Sequence, residues 1–469
     1  MKRWTLLLLL GLAFAARAPA ARGAIVDEAE AVALADFWIS GEIGSGHTKM
    51  DDGDKAARLK ALPARKVLYL VSQEELAEQP PAKGKVLAYV VKYQPSGYVV
   101  VSAEDRIEPV IAFDIASEFR WDQPELNFGR EFVGKTMARR WGTLNKQIAD
   151  GNANANAHPN WQALRGKLKA PKGASDATAP ADLAPMGTFY LLLDTALWNQ
   201  GWPYNTEVVS HNGGNSAPTG CTATAMAILM RYHQWPITGS GSHSYTDGDG
   251  TLRYSHSANF GATTYNWSNM PTTNISASNS DLANLMYQCG VAVEMDYEPG
   301  GSGAWPSASS MNGYIRYRGT EDHNSNHEGP IRDCVKALLP VIISSNDHTI
   351  VVCGYRDTLA PYYYFNAGWG GSSNGWYNYT DVPGGDTIRA SYPYSQPNNW
   401  VYVDAYWGGS HVGTRANPYN NVKDGNNAVP WGGRIMIRGA VYSGSANTPI
   451  LFNKAMLIKS YEGSAVIKP

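Results

Sequence analysis

Between Cys221 and Tyr232 the chain is almost entirely small or apolar, contains no glycine or proline, and is soon followed by Pro236. Since proline cannot continue a helix, this pattern predicts one buried helix that begins at Cys221. The unpaired N–H groups of a helix N-terminus favour a thiolate over a thiol, so Cys221 is a candidate nucleophile. The alternative for Cys221 is a small buried hydrophobic residue, the more common role of a free cysteine.

The pattern before this helix predicts an α+β unit over residues 25–165. A helical period covers residues 27–39, and a second helical stretch covers 128–148. Runs of apolar and alternating residues predict strands, with a hairpin turn at 94–97, and these strands lie at 67–71, 85–91, 97–102 and 110–113. We expect this unit to be independent and to have its own hydrophobic core.

A change in composition separates this unit from the rest of the chain. Residues 170–180 are small and polar and include prolines and a glycine, which is typical of a flexible connection that proteases cut. We therefore predict a linker with an activation cleavage site at 166–184. A folded unit joined by such a linker to a unit with a reactive cysteine predicts a pro-domain over 25–165. The alternative is a spacer or a binding domain.

The first residues predict export of the chain. A charged start at Met1-Lys2-Arg3, an apolar run at 6–16 and the small residues Ala18-Pro19-Ala20 are typical of a secretory signal peptide over residues 1–20. The apolar run is too short to span a bilayer as a mature helix, and no later segment is long and apolar enough. We therefore expect a secreted, extracellular or cell-surface protein with no transmembrane segment.

The pattern over residues 185–390 predicts a fold of two subdomains. Helices predicted at 282–293 and 330–338 are followed by strands predicted at 341–344, 348–355 and 362–366. A cysteine on an early helix and a histidine on a later strand would face each other across a cleft. This is the arrangement of papain-like enzymes, and we predict an α+β fold of that class.

Among the ten histidines, His348 is the best candidate for a catalytic base. His233 lies on the predicted Cys221 helix but about 18 Å farther along its axis, so it cannot reach the sulfur. His348 opens a buried strand, where an ionisable ring needs a partner, although a hydrogen-bonded structural histidine is the alternative. Asn366, at the end of the next strand, could orient the imidazole through its side-chain oxygen. Trp369 could shield that bond from water.

Acyl transfer also needs hydrogen-bond donors at the developing oxyanion. The side-chain amide of Gln200 and the backbone N–H of Cys221 are the candidates for this role. A glutamine taken alone is a weak signal, since a surface or structural amide is the alternative.

The order and spacing of these residues resemble the streptopain family of secreted cysteine peptidases. The segments that carry the resemblance are Tyr98 to Arg106, Gln200 to Asn205, Thr219 to Met226, Val293 to Tyr297 and Asn366 to Gly371. Residue by residue, the resemblance implies the following roles: Cys221 is the nucleophile, His348 the base, Gln200 the oxyanion donor and Asn366 the orienting residue.

Two positions depart from the family pattern. Ala367 follows Asn366 where the family tends to have tryptophan, which leaves Trp369 as the residue that would shield the site. Asp347 precedes His348 where the family has glycine, so a carboxylate could narrow the substrate groove.

The family also implies a substrate-contacting loop, and residues 302–304 match it. A plain surface turn is the alternative for this loop. The predicted substrate-binding residues are therefore Ser302, Gly303, Asp347 and Trp369.

Composition narrows the partners and the cofactors. Charged residues make up 17% of the chain, the net charge is -2 and no basic block occurs, which argues against binding of nucleic acid. The four cysteines are too few for a disulfide scaffold, although a bridge between Cys334 and Cys353 stays open. Asp322, His323 and His327 lack a second fixed pair of ligands, so we predict no metal and no cofactor.

The pattern over residues 399–469 predicts a short β-rich C-terminal module. Val401 to Ala405, a short helix that ends at Ala428, and Gly432 to Tyr442 resemble the cap and first rung of pectate-lyase-like right-handed β-helices. About three repeats are usually needed to bury a solenoid core. We therefore expect the module to pack on the peptidase, to anchor it to a surface or polysaccharide, or to begin a truncated array. An ordinary β-rich tail is the alternative.

Together these features predict a secreted cysteine endopeptidase made as a zymogen. Its substrates would be proteins or peptides, and its pro-domain would act as an intramolecular inhibitor. The alternatives are an amidase or transglutaminase that acts on cell-wall peptides, and an inactive surface-binding protein.

Overall fold

A twelve-stranded β-sheet runs through the computed structural model and joins the N-terminal part of the chain to the central part. The predicted signal peptide and most of the predicted linker lie outside the described residues. The structure describes residues 25–44, 52–62, 64–72, 75–81, 85–120, 128–151, 156–169, 190–248, 253–273, 275–322, 328–336, 338–344, 348–357, 360–378, 386–393, 400–429, 433–452, 456–461 and 464–468.

The N-terminal part combines helices with an antiparallel sheet. Gly97, with a φ of 99°, lies in the tight hairpin between its third and fourth strands, a conformation that favours glycine. The elements are α1 (Glu28–Gly44), α2 (Asp52–Ala61), β1 (Arg65–Leu70), β2 (Leu76–Ala77), β3 (Ala88–Tyr93), β4 (Tyr98–Ser102), β5 (Val110–Asp114), α3 (Phe128–Ala149) and α4 (Pro159–Leu168).

The central part contributes the other half of the sheet and the helices that pack beside it. The elements are β6 (Tyr190–Leu192), α5 (Thr206–His211), α6 (Cys221–His233), β7 (His243–Thr246), β8 (Ser255–Ala258), α7 (Ser280–Ala292), α8 (Ala308–Tyr314), β9 (Tyr317–Asp322), α9 (Glu328–Lys336), β10 (Val341–Ser344), β11 (Thr349–Asp357), β12 (Pro361–Asn366), β13 (Gly375–Asn378) and β14 (Asp386–Pro393). The strand order is β2-β1-β3-β4-β5-β13-β12-β11-β10-β14-β9, and β6 pairs with β11. This architecture is the predicted α+β fold of the papain-like class.

The two halves of the sheet meet where β5 pairs with β13. Trp376 lies opposite Phe113, and the hydroxyl of Tyr362 donates to the carbonyl of Val110 at 2.9 Å. A buried ion pair crosses the same boundary, since Arg356 Nη1 lies 2.9 Å from Glu42 Oε2. The N-terminal part is therefore bonded to the central part through backbone, hydroxyl and charged groups.

Hydrophobic residues fill both faces of the N-terminal half of the sheet. Ala88 and Val90 on β3 belong to a central core that continues into the Cys221 helix. Tyr89 and Val91 point to the other face and pack with α1 and α4. The prediction of an independent core for the N-terminal part is wrong, because both faces of its sheet pack with residues of the central part, including Tyr362 and Trp376 on the second face.

Helix α6 is buried in this central core. Every residue from Thr222 to Met230 is buried, and the helix packs against α7 and against strands β10 and β11. Small side chains at Ala223, Ala225 and Ala227 allow this close approach. In the described ranges, no helix combines the length and apolarity needed to cross a membrane.

The C-terminal module stacks its strands in parallel, as expected for coils of a β-helix. Strand β15 (Trp400–Val403) is followed by α10 (Val422–Ala428), β16 (Gly433–Arg438), β17 (Val441–Tyr442), β18 (Met456–Tyr461) and β19 (Val466–Ile467). The parallel pairs are β15 with β16, β16 with β18, and β17 with β19.

Alternate residues of β15 divide the module between two cores. Val401 and Val403 face the interior of the module, whereas Trp400 and Tyr402 enter the central core beside α6. The ring of Trp400 lies 5.6 Å from that of Tyr232 and 5.0 Å from the guanidinium carbon of Arg434. The expectation that the module packs on the rest of the chain is confirmed.

This packing predicts that the Trp400→Ala variant loses much of the stability of the central core. Trp400 is only 4% exposed, so its removal should lower the free energy of unfolding by about 3–5 kcal/mol, measured by urea denaturation. Tyr406→Ala in the same module is the control, because Tyr406 is 74% exposed and its loss should cost less than about 0.5 kcal/mol. Equal denaturation midpoints for the two variants would show that the module contributes nothing to the core.

Candidate active site

Gly220 sets the start of helix α6 and therefore the position of Cys221. Its φ of 82° and ψ of 146° lie in a region that only glycine adopts readily. A Cβ atom here would lie 2.5 Å from Met295 Sδ and 3.2 Å from the carbonyl oxygen of Ser302. Both the backbone conformation and the packing thus require glycine directly before Cys221.

Cys221 and His348 are brought together across the packing of α6 against the sheet. Burial acts to raise the pKa of the Cys221 thiol, but the hydrogen bond and charge of His348 outweigh it. Hydrogen bonds from the backbone and side chain of Thr349 act in the same direction. The pKa of Cys221 is lowered as a result from 9.0 to about 6, so the thiolate predominates at neutral pH.

The imidazole of His348 is held on its other side by backbone and by an aromatic ring. Its Nε2 lies 2.9 Å from the carbonyl oxygen of Ala367. A carbonyl only accepts, so Nε2 carries a proton and Nδ1 is the basic nitrogen of the neutral ring. The ring of Trp369 lies 4.3 Å from the imidazole at an angle of 34°, which places Trp369 where it can shield the pair from water.

Asn366 is close to this site but bonds differently from the prediction. Its Oδ1 accepts the N–H of Gly368 at 3.1 Å, and its Nδ2 donates to Thr195 Oγ1 and to the carbonyl of Ala196. The carboxamide therefore fixes the turn after β12 rather than the imidazole. The oxygen that the prediction assigned to Asn366 is supplied by the backbone of the next residue, Ala367.

Gln200 lies beside the loop that leads into α6. Its backbone carbonyl accepts the N–H of Thr219 at 2.9 Å, and its own N–H is bonded by Asn199 Oδ1. The side chain is half-buried. These contacts place Gln200 near the helix N-terminus, as the oxyanion prediction requires.

The predicted substrate loop contacts the same helix start. Ser302 Oγ donates to the carbonyl of Pro218 at 2.7 Å, and Gly303 pairs with Asp296 in an isolated bridge. Thr222 Oγ1 donates to the carbonyl of Ala304 at 2.6 Å. The loop therefore forms one wall beside Cys221. Asp347 lies outside the described residues.

The four cysteines form no disulfide, so Cys334 and Cys353 are not bridged. Burial raises the pKa of Cys289 and raises that of Cys353 to about 12, which leaves both as unreactive thiols. Cys221 differs from these two because His348 adjoins it.

Sequence reasoning missed two groups at this site, Ala367 and Thr349. The contribution of Ala367 comes from a backbone carbonyl, which leaves no trace in the side-chain pattern. Thr349 directly follows the candidate base, and its hydroxyl would have been the signal to examine.

The conformation of Gly220 predicts that Gly220→Ala is more destabilising than a comparable change elsewhere. Gly214→Ala is the matched control, since Gly214 also has a positive φ of 83° but no atom lies within 4 Å of the place that its Cβ would take. The control should lose about 1–2 kcal/mol of unfolding free energy, whereas Gly220→Ala should lose more because Met295 and Ser302 must also move. Equal losses in urea denaturation would show that these neighbours give way freely.

The charge of His348 predicts the pH dependence of Cys221 reactivity. In the intact chain, the rate of alkylation by iodoacetamide should rise with pH through a midpoint near 6, as the thiolate forms. In His348→Ala, the midpoint should rise by about two pH units or more, because burial still raises the pKa of Cys221 while the imidazole that lowers it is gone. Mass analysis of the Cys221 peptide gives the rates. His211→Ala is the control, because the His211 ring on α5 stacks on Tyr287 of α7. An unchanged midpoint in His348→Ala would contradict the pairing.

Part of the chain is similar to known peptidases. Residues 198–377 match the sequence model of the Peptidase C10 family. The chain is 34% identical over 215 residues to the thiol protease/hemagglutinin PrtT of Porphyromonas gingivalis, which covers 42% of this chain and 24% of that protein. It is 29% identical over 211 residues to streptopain of Streptococcus pyogenes, covering 38% and 52% respectively.

Both alignments leave about half or more of the relatives' length unmatched. Among solved structures, a fragment of Prevotella intermedia prointerpain A has the same fold, with a TM-score of 0.51 and 22% identity over 71% of this chain and 100% of that chain. Over residues 198–377, the chain therefore matches the Peptidase C10 family, which confirms the resemblance to streptopain that its motifs predicted.

Proposed function

We propose that this protein is a cysteine endopeptidase made as a secreted zymogen. The observation that carries the proposal is the contact of Cys221 with His348 at the start of a buried helix, with the thiol pKa lowered to about 6. A thiolate at neutral pH is the nucleophile of such enzymes, and His348 is the adjacent base. The thiol proteases among the similar proteins support the same reaction.

The proposed reaction proceeds in two steps. The Cys221 thiolate attacks a peptide carbonyl carbon, a C–S bond forms, and the electron pair of the C=O bond moves to oxygen. The intermediate then expels the amine, which takes a proton from the His348 imidazolium and leaves a thioester. His348 next removes a proton from water, the resulting hydroxide attacks the thioester, and the carboxylic product leaves as the thiolate reforms.

Gln200 and the backbone N–H of Cys221 are the proposed donors to the oxyanion. The contact of Gln200 with Thr219 supports this role, because it holds Gln200 beside the N-terminus of α6. That terminus also carries partial positive charge where negative charge develops on oxygen.

The Ala367 carbonyl takes the orienting role in this proposal. By accepting the Nε2 proton of His348, it directs Nδ1 toward proton transfer. Asn366 then acts on the imidazole indirectly, because it fixes the turn that contains the Ala367 carbonyl. The loop at Ser302 and Gly303, together with Asp347 and Trp369, is proposed to line the substrate groove.

The N-terminal part, residues 25–165, is the proposed pro-domain and inhibitor, with cleavage in the segment 166–184. Its pairing with β13 supports a role as a unit that stays attached until it is removed. For the C-terminal module we propose contact with a cell surface or polysaccharide. Exposed Tyr406, Leu451 and Phe452 on this module support such contact.

The proposal predicts that Cys221→Ala abolishes peptide hydrolysis and leaves a folded, uncleaved precursor. Purified full-length protein should cleave an unlabelled protein such as casein and a fluorogenic peptide, with kcat/KM at least about 10³-fold above that of Cys221→Ala. Gel mobility reports cleavage of the precursor, and circular dichroism reports folding. Efficient hydrolysis by Cys221→Ala would overturn the mechanism. Release of ammonia from side-chain amides, without backbone cleavage, would instead favour an amidase.

A further inference from the structure

The pairing of β10 with β11 places a buried threonine, Thr349, next to the candidate nucleophile. Strands β10 and β11 pair so that Ser344 lies opposite Thr349, and both are almost fully buried, at 3% and 2% exposure. Helix α6 packs across these strands and brings the hydroxyl of Thr222 to that of Thr349. Three hydroxyl groups from three elements therefore meet at Thr349, whose hydroxyl acts on the thiol of Cys221.

The hydroxyl groups form a continuous chain. Ser344 Oγ lies 2.9 Å from Thr349 Oγ1, which lies 2.9 Å from Thr222 Oγ1. Thr222 Oγ1 lies 2.6 Å from the carbonyl oxygen of Ala304. The chain ends on the loop that also contains Ser302 and Gly303.

Counting protons fixes the direction of one bond in this chain, the bond between Thr349 and Thr222. A hydroxyl donates one proton, and a carbonyl can only accept. Thr222 uses its proton on Ala304, so Thr222 can only accept from Thr349. The single proton of Thr349 can therefore point at Thr222 Oγ1, at Ser344 Oγ or at the adjoining Cys221 sulfur.

We propose that the Thr349 hydroxyl changes its acceptor with the charge on Cys221: it donates to the thiolate, and it turns to Thr222 when the sulfur is neutral. This inference rests on the proposed function, in which that thiolate is the nucleophile. The backbone N–H of Thr349 also lowers the pKa of Cys221. A substitution of the side chain thus removes the hydroxyl bond and leaves the backbone bond.

The alternation has a chemical use during the proposed reaction. When the sulfur carries a negative charge, the hydroxyl stabilises it, since bonds to charged acceptors are stronger than neutral ones. When the sulfur is bound to an acyl group, the hydroxyl returns to Thr222 and its proton stays satisfied. A thiol with a pKa near the ambient pH combines a high thiolate fraction with good nucleophilicity.

The test is the pH dependence of iodoacetamide alkylation of Cys221 in the full-length chain. In Thr349→Val, which keeps the shape but lacks the hydroxyl, the midpoint should rise by about one pH unit. The alkylation rate well below the midpoint should therefore fall about tenfold, while the rate above pH 9 should be unchanged. Thr349→Ser should restore the wild-type midpoint, which a purely structural role for the threonine methyl group would not predict.

Thr136→Val is the matched control, because Thr136 is also buried but lies on α3 in the N-terminal part. Its midpoint should equal that of wild type. If Thr349→Val fails to fold, as judged by thermal unfolding, the pair Thr349→Ser and Thr349→Ala carries the test, since these two differ in the hydroxyl alone.

The outcomes separate this inference from the proposed function. Equal midpoints for the variants with and without the hydroxyl would overturn the role of Thr349, whatever the peptidase activity. A wild-type midpoint near 9, the value of an ordinary thiol, would instead overturn the thiolate on which the proposed function rests. A raised midpoint in Thr349→Val together with restoration by serine would support the inference.

Discussion

Burial and the His348 imidazole act in opposite directions on the pKa of Cys221, and the site depends on the balance between them. A buried thiol resists ionisation, as Cys289 and Cys353 demonstrate, because a charge away from water is unfavourable. His348 reverses that preference by placing a donor and a charge against the sulfur. Gly220, which sets the start of α6, and the Ala367 carbonyl, which accepts from the imidazole, help to hold these two side chains at the same place.

Much of this arrangement follows from local patterns. The helix at Cys221 was predictable because its residues are small or apolar and a proline follows it. His348 was predictable as the candidate base because a buried strand rarely begins with an ionisable ring. The family motifs then indicated the fold class. Strands β10 and β12 also lie close to their predicted bounds, since short apolar runs between turn residues are clear signals.

The remaining features depend on tertiary contacts that such patterns do not encode. The continuous apolar run in β3 and β4 indicates burial on both faces, but it does not say which neighbour covers each face. The prediction of a separate N-terminal core failed for that reason. The orientation of Asn366 was missed because its carboxamide accepts from the nearby N–H of Gly368 and donates to the carbonyl of Ala196, which is distant in the chain. A main-chain oxygen also replaces a side chain at the imidazole.

The junction of β5 with β13 has a consequence for how such a precursor would be switched on. A cut between 166 and 184 severs only the covalent connection, whereas backbone pairing, the Tyr362 hydroxyl bond and the Glu42–Arg356 ion pair still join the two pieces. After the cut, the N-terminal piece would thus stay bound as a separate chain. Its dissociation would expose the edge of β13 that pairs with β5. Degradation of that piece, rather than the first cleavage of the chain, would then limit the rate of activation.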